Sequence, residues 1–157
     1  MAETAGLAAT DPDLEVRRQA QQTLGVMLHA RSELAAEAFA VVEHAWSDPA
    51  RPYARKGAQR TLCKIVEVCP ERAPQAVTIA LAATEDEHRE TRRAAQQTIH
   101  MIVDRAPDLA TPELAFRVAT IAMTDEIGEV ADAAREALAA MLVIKDEWKS
   151  HYPERLA

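Results

Sequence analysis

Arg18, Lys56 and Arg93 are each followed four residues later by another polar side chain: Gln22, Arg60 and Gln97. On a helix that spacing puts both members of a pair on one side, one turn apart. Long cations and amides held this way suit binding of an acidic or polar segment. Arginine outnumbers lysine 14 to 4, so most positive charge sits on planar groups built for bidentate pairing. The chemistry these six residues offer is recognition of a carboxylate-bearing or polar partner.

Residues for catalysis do not converge in the same way. His29, His44, His88, His100 and His151 form no HExxH, HxxH or His-Glu pairs, the spacings that zinc or iron sites use. His100 and Asp104 share a helix side at i,i+4, and two solvated side chains account for that pair. Gly6, Gly25, Gly57 and Gly128 are isolated, so there is neither a phosphate-binding loop nor a nucleophile elbow. The acidic clusters at Glu85–Glu87 and Asp125–Glu129 read as helix starts. The expectation is a protein that is not an enzyme and carries no cofactor or metal.

Composition bounds the setting. The chain has 157 residues, 48% apolar and 27% charged, which suits one globular domain. Its net charge of −7 counts against a general nucleic-acid or anionic-membrane binder, whose affinity comes from neutralising phosphate. Met1-Ala-Glu-Thr-Ala-Gly lacks the basic and apolar regions of a signal peptide. The longest apolar run, Ala137 to Ile144, is far too short to span a bilayer. Cys63 and Cys69 fit neither a disulfide framework nor a zinc spacing. A cytoplasmic location with both thiols reduced and packed is expected.

The elements that must position the six polar residues come from an internal repeat. Val16-Arg-Arg-Gln-Ala-Gln-Gln-Thr-Leu24, Ala54-Arg-Lys-Gly-Ala-Gln-Arg-Thr-Leu62 and Thr91-Arg-Arg-Ala-Ala-Gln-Gln-Thr-Ile99 read almost alike. Val130-Ala-Asp-Ala-Ala-Arg-Glu-Ala-Leu138 is a weaker fourth copy. Successive starts are separated by 38, 37 and 39 residues. Apolar residues recur at i, i+4 and i+8 within each copy, as in Val16, Ala20 and Leu24, and Met27 and Leu28 follow a turn later; this is the face of an amphipathic helix. Acid-bearing turns precede the helices at Asp11-Pro-Asp, Asp48-Pro, Glu85-Asp-Glu and Asp125-Glu. A second apolar-periodic stretch lies between copies: Glu33 to Trp46, Arg72 to Ala83 and Pro112 to Met123. No stretch alternates with period two, so no strand is expected. Helix pairs this short bury their apolar faces only by stacking.

Asp11, Val16, Arg17, Ala20 and Leu24 resemble the second helix of a HEAT repeat, and Asp86, Thr91, Arg92, Ala95 and Ile99 follow with two conservative departures. The second copy has Pro49 and Ala54 in place of Asp and Val, and the fourth has Ala131 in place of Arg. The resemblance to HEAT and armadillo-like proteins covers roughly residues 11 to 144. It implies an all-α fold, a short right-handed α-α superhelix of about three and a half helical hairpins with seven to eight helices. The expected organisation is one solenoid domain over 1–157. Residues 1–10 form an N-terminal cap segment, 11–47, 48–84, 85–124 and 125–144 are the repeats, and 145–157 is a capping tail. The resemblance also implies a scaffold or adaptor that binds another protein in a groove lined by the second helices.

On a helical wheel with Val16 at zero, Ala20 and Leu24 fall at about 40° and 80°, Arg17 at about 100° and Arg18 at about 200°. Arg17, Arg55 and Arg92 should therefore lie along the core and bridge to turn acids of a neighbouring repeat. Arg18, Lys56 and Arg93 should face solvent with Gln22, Arg60 and Gln97, and Asp132 and Glu136 reverse the sign in the fourth copy. Trp148 and Tyr152 read as a terminal cap, or alternatively as an exposed aromatic anchor. The brief segment before the first copy suggests a thinly covered end, open to homodimer contact. Two alternative readings of the resemblance remain: a HEAT-like nucleic-acid binder using the Arg/Lys stripe, and a HEAT-like lyase or chaperone subunit.

Overall fold

The computed structural model describes residues 2–47 and 52–146, and these residues are all-α. Eight helices follow in order: α1 Ala2–Thr10, α2 Leu14–Ala30, α3 Ala35–Trp46, α4 Pro52–Val68, α5 Ala73–Ala83, α6 Arg89–Arg105, α7 Pro112–Thr124 and α8 Gly128–Ile144. Each copy of the sequence repeat lies on an even-numbered helix, and all four of these helices have 17 residues. The apolar stretches between copies are the shorter odd-numbered helices. The Asp48-Pro turn and the tail bearing Trp148 and Tyr152 lie outside the described residues.

The repeat is also visible in how the even helices stop. Arg31, Cys69, Ala106 and Lys145 follow them with nearly the same backbone, φ from −148° to −118° and ψ from 68° to 76°. Three of these residues lead into a single 3-10 turn, at Ser32–Leu34, Pro70–Arg72 and Pro107–Leu109. Proline opens two of those turns, where its fixed φ fits and its missing N–H is not needed. Helix starts are capped from the turn: Asp13 accepts the amides of Glu15 and Val16, and Thr111 accepts that of Leu114.

Packing joins each odd helix to the even helix after it, α1 with α2, α3 with α4, α5 with α6 and α7 with α8. Even helices also pack in chain order, α2 on α4, α4 on α6 and α6 on α8. Matching positions therefore meet the same surroundings. Leu24, Leu62, Ile99 and Leu138 are fully buried, as are Leu28, Val66 and Val103, with Leu142 almost so. Each such side chain contributes about 1.5–3 kcal/mol by leaving water. Ala58, Ala95 and Ala134 are completely enclosed, and Ala20 nearly so, where short side chains let neighbouring helices approach.

The first pair departs from this pattern. Helix α1 packs against α2, α3 and α4 together. The Ala9 carbonyl lies so near Gly57 that a Cβ there would be 2.1 Å from its oxygen. A nine-residue helix in that position leaves the start of α2 open. Val16 is consequently 37% exposed, whereas its counterparts Ala54, Thr91 and Val130 are fully buried. The wheel placed Val16 on the covered face, and only the short first helix makes it otherwise.

Candidate functional site

The two arginine columns do different things. Arg55 Nε donates to Asp86 Oδ2 at 2.7 Å, and Arg92 Nε to Asp125 Oδ2 at 2.8 Å. Arg92 Nη1 also reaches the carbonyls of Asp86 and Glu87 in its own turn, and Arg17 Nη1 those of Asp11 and Pro12. Each turn aspartate in addition braces its loop, Asp86 accepting from the His88 amide and Asp125 from that of Ile127. One arginine thus ties its own helix start to the next turn. The expected bridges are present for Arg55 and Arg92. The turn that would serve Arg17, at Asp48-Pro49, lies outside the described residues. The bonds hold Asp125 below the usual carboxylate range, with Arg92 the main cause, and raise the pKa of Arg55 and Arg92.

The outward column is less uniform than the sequence suggests. Lys56 Nζ donates to Glu90 Oε2 at 2.5 Å and Arg93 Nη1 to Glu129 Oε2 at 3.1 Å, and both cations are only partly exposed. They face the next helix start rather than open solvent, because Glu90 and Glu129 immediately precede the matching repeat positions. Arg18 has Tyr53 at that place in the next copy, which carries no charge. Its side chain is 60% exposed, and its Nη1 lies 3.9 Å from Glu15 Oε2 of its own helix. Gln22 and Gln97 are exposed.

Arg60 differs from the others. It is half-buried, and no acid among the described residues forms an ion pair with it. Burial lowers its pKa; Glu90 opposes this, and the charges of Arg18, Arg17 and Arg93 reinforce it. A guanidinium remains charged under such pressure, so it is a cation held ready without a full counter-charge.

Between α2 and α4 the structure brings three of the six residues together. Arg18, Gln22 and Arg60 line a cleft of about 390 Å³ with Gln21, Cys63, Lys64 and Glu67. A second cleft of about 490 Å³ shares Gln22 and Lys64 and continues along the same two helices past Gly25, Val26 and His29 to Val68. Lys56 lines a different cleft, of about 570 Å³, at the start of α6. Its walls hold Glu87, Glu90, His88, Arg89 and Arg92, and mixed signs there select no particular charge. Arg93 and Gln97 line none of these three clefts.

Lys64 was not singled out from the sequence, although it lies four residues after Arg60 and shares its helix side. Its ammonium is paired with Glu67. Burial pushes the Cys63 thiol up to about 11, so it stays protonated at neutral pH. Among the described residues no group of three or more His, Cys, Asp or Glu side chains could hold a metal ion. No helix among them is long and apolar enough to cross a membrane.

A scan against protein-family models finds no match, and a search of curated proteins finds no significant similarity. The geometry of the site therefore carries the functional reading.

Proposed function

We propose that this chain is a non-enzymatic interaction scaffold, a short HEAT-like solenoid of the cytoplasm that captures an acidic or polar segment of another protein. The captured segment runs along the surface of α2, α4 and α6. The observation that carries this reading is the cleft formed by Arg18, Gln22 and Arg60, where two packed repeats combine their charges and one guanidinium has no acid paired with it among the described residues. Specificity arises because the segment's carboxylates replace water around cations already fixed by the helices.

The test is capture of a partner from the native host by wild-type chain and by a variant carrying Arg18→Glu, Lys56→Glu and Arg93→Glu. Capture should be lost while helicity by circular dichroism is kept. Unchanged capture would sink the proposal. A salt-dependent shift of duplex DNA by low-micromolar protein would instead favour nucleic-acid binding. Association of two copies through the open end of α1 and α2 is supported by the exposure of Leu7, Leu14 and Val16. Light scattering reads that directly as a doubled mass.

A further inference from the structure

The α2–α4 groove is chemically graded along its length. At one end stand Arg18 and the half-buried Arg60, with Glu67 engaged by Lys64. At the other, Val26 is 72% exposed and lies across from Val68. Gly25 forms part of the floor, with the Lys64 chain lying where a Cβ would be, 2.9 Å from its Cε. Lys64 and Gln22 line both clefts, so the two adjoin along α2 and α4, with the Lys64 chain between them. The corresponding cations on α4 and α6 already face Glu90 and Glu129, so their charge is largely met within the protein.

We propose that this groove receives a peptide segment in which an acidic residue is followed or preceded within a few positions by an apolar one. The carboxylate lies against Arg60 and Arg18, and the apolar side chain covers Val26 and Val68. This deepens the scaffold reading and rests on it: binding energy concentrates between α2 and α4 instead of being shared along the stripe. Arg60 supplies a preformed fork, and a carboxylate there pairs directly with a partly desolvated charge that no acid among the described residues contacts as an ion pair. The exposed valine contributes only when covered.

The test uses the full chain against a random 12-residue peptide library displayed on phage. Selected peptides should be enriched in an acidic residue near a Leu, Ile, Phe or Val. A synthetic consensus peptide should then bind at least tenfold more weakly to Arg60→Gln and to Val26→Asp, as read by fluorescence anisotropy. Arg93→Gln should weaken binding several-fold less than Arg60→Gln does. The melting midpoint of Arg60→Gln should equal or exceed that of the wild type, because a half-buried charge with no ion pair among the described residues has been removed. Enrichment of basic peptides, or no enrichment, overturns the inference. Equal loss with Arg60→Gln and Arg93→Gln overturns the local anchor while leaving the broader stripe reading standing. A lower midpoint for Arg60→Gln overturns the view that Arg60 is held for a ligand.

Discussion

Asp125 and Glu90 both titrate below their ordinary range in the folded protein, Asp125 chiefly through Arg92 and Glu90 chiefly through Lys56. A depressed carboxylate stabilises the fold above its unfolded pKa and loses that contribution as pH falls through the folded value. The melting midpoint should therefore drop as pH goes below about 4, a range set by the ordinary carboxylate values. Asp125→Asn should lower the midpoint at neutral pH and flatten the drop. An unchanged pH profile for this variant would argue against the Arg92 bridge. The Arg55–Asp86 pair is more enclosed, with side chains 10% and 5% exposed. Asp86→Ala removes the more enclosed of the acids on Arg55 while Glu87 stays at 3.3 Å from its Nη2, so it should cost about 1–3 kcal/mol in denaturant unfolding. Cys63 makes a kinetic prediction. With its pKa near 11 instead of 9.0, its thiolate fraction at neutral pH is about a hundredfold lower than that of an ordinary thiol. Iodoacetamide should label it slowly in the native protein and rapidly once urea unfolds the chain.

Two glycines set the contrast at the scale of helices. Gly57 faces the Ala9 carbonyl, a backbone atom that a new methyl could avoid only by moving α1. Gly57→Ala should cost about 1–3 kcal/mol by overpacking, less the small gain in helix propensity. Gly25 meets only the flexible end of Lys64. Gly25→Ala should displace that side chain and recover about 0.5–1 kcal/mol of helix stability. Chemical unfolding of the two variants should thus show opposite signs. Both glycines lie within helices, and the sequence offered no way to tell them apart. Helix identity was legible because alanine-rich 3.6-residue periodicity and acid-bearing turns recur in every copy. The pairing of Arg55 with Asp86 was legible for the same reason. The pairing of Lys56 with Glu90 and of Arg93 with Glu129 was not, because a single-helix wheel says nothing of where the next helix start comes to rest.

Position in the stack decides what a repeated residue is worth to the whole molecule. Phe39, Val77 and Phe116 each stand nine residues before a turn aspartate, Asp48, Asp86 and Asp125. Phe39 is 4% exposed, Val77 packs partly against the core and Phe116 is 68% exposed. Phe39→Ala should cost about 3–5 kcal/mol, and Phe116→Ala less than about 0.5 kcal/mol, measured by urea denaturation. Similar losses at both positions would show that the end of the molecule is covered in solution. Val16 and Val130 repeat the lesson at the other end, since matching apolar positions differ by 37% against full burial. The sequence by itself determined the all-α class, the repeat, the buried Leu and Ala positions and the inward arginine column, since each follows from periodicity within a helix and from turns of fixed length. Only the tertiary structure decided which cations keep their charge unmet. Lys56 and Arg93 pair with acids of the next repeat, while Arg60 beside Arg18 is half-buried with no acid paired to it among the described residues. Charge compensation depends on what a neighbouring helix brings within a few ångströms, and that distance is fixed by packing between repeats.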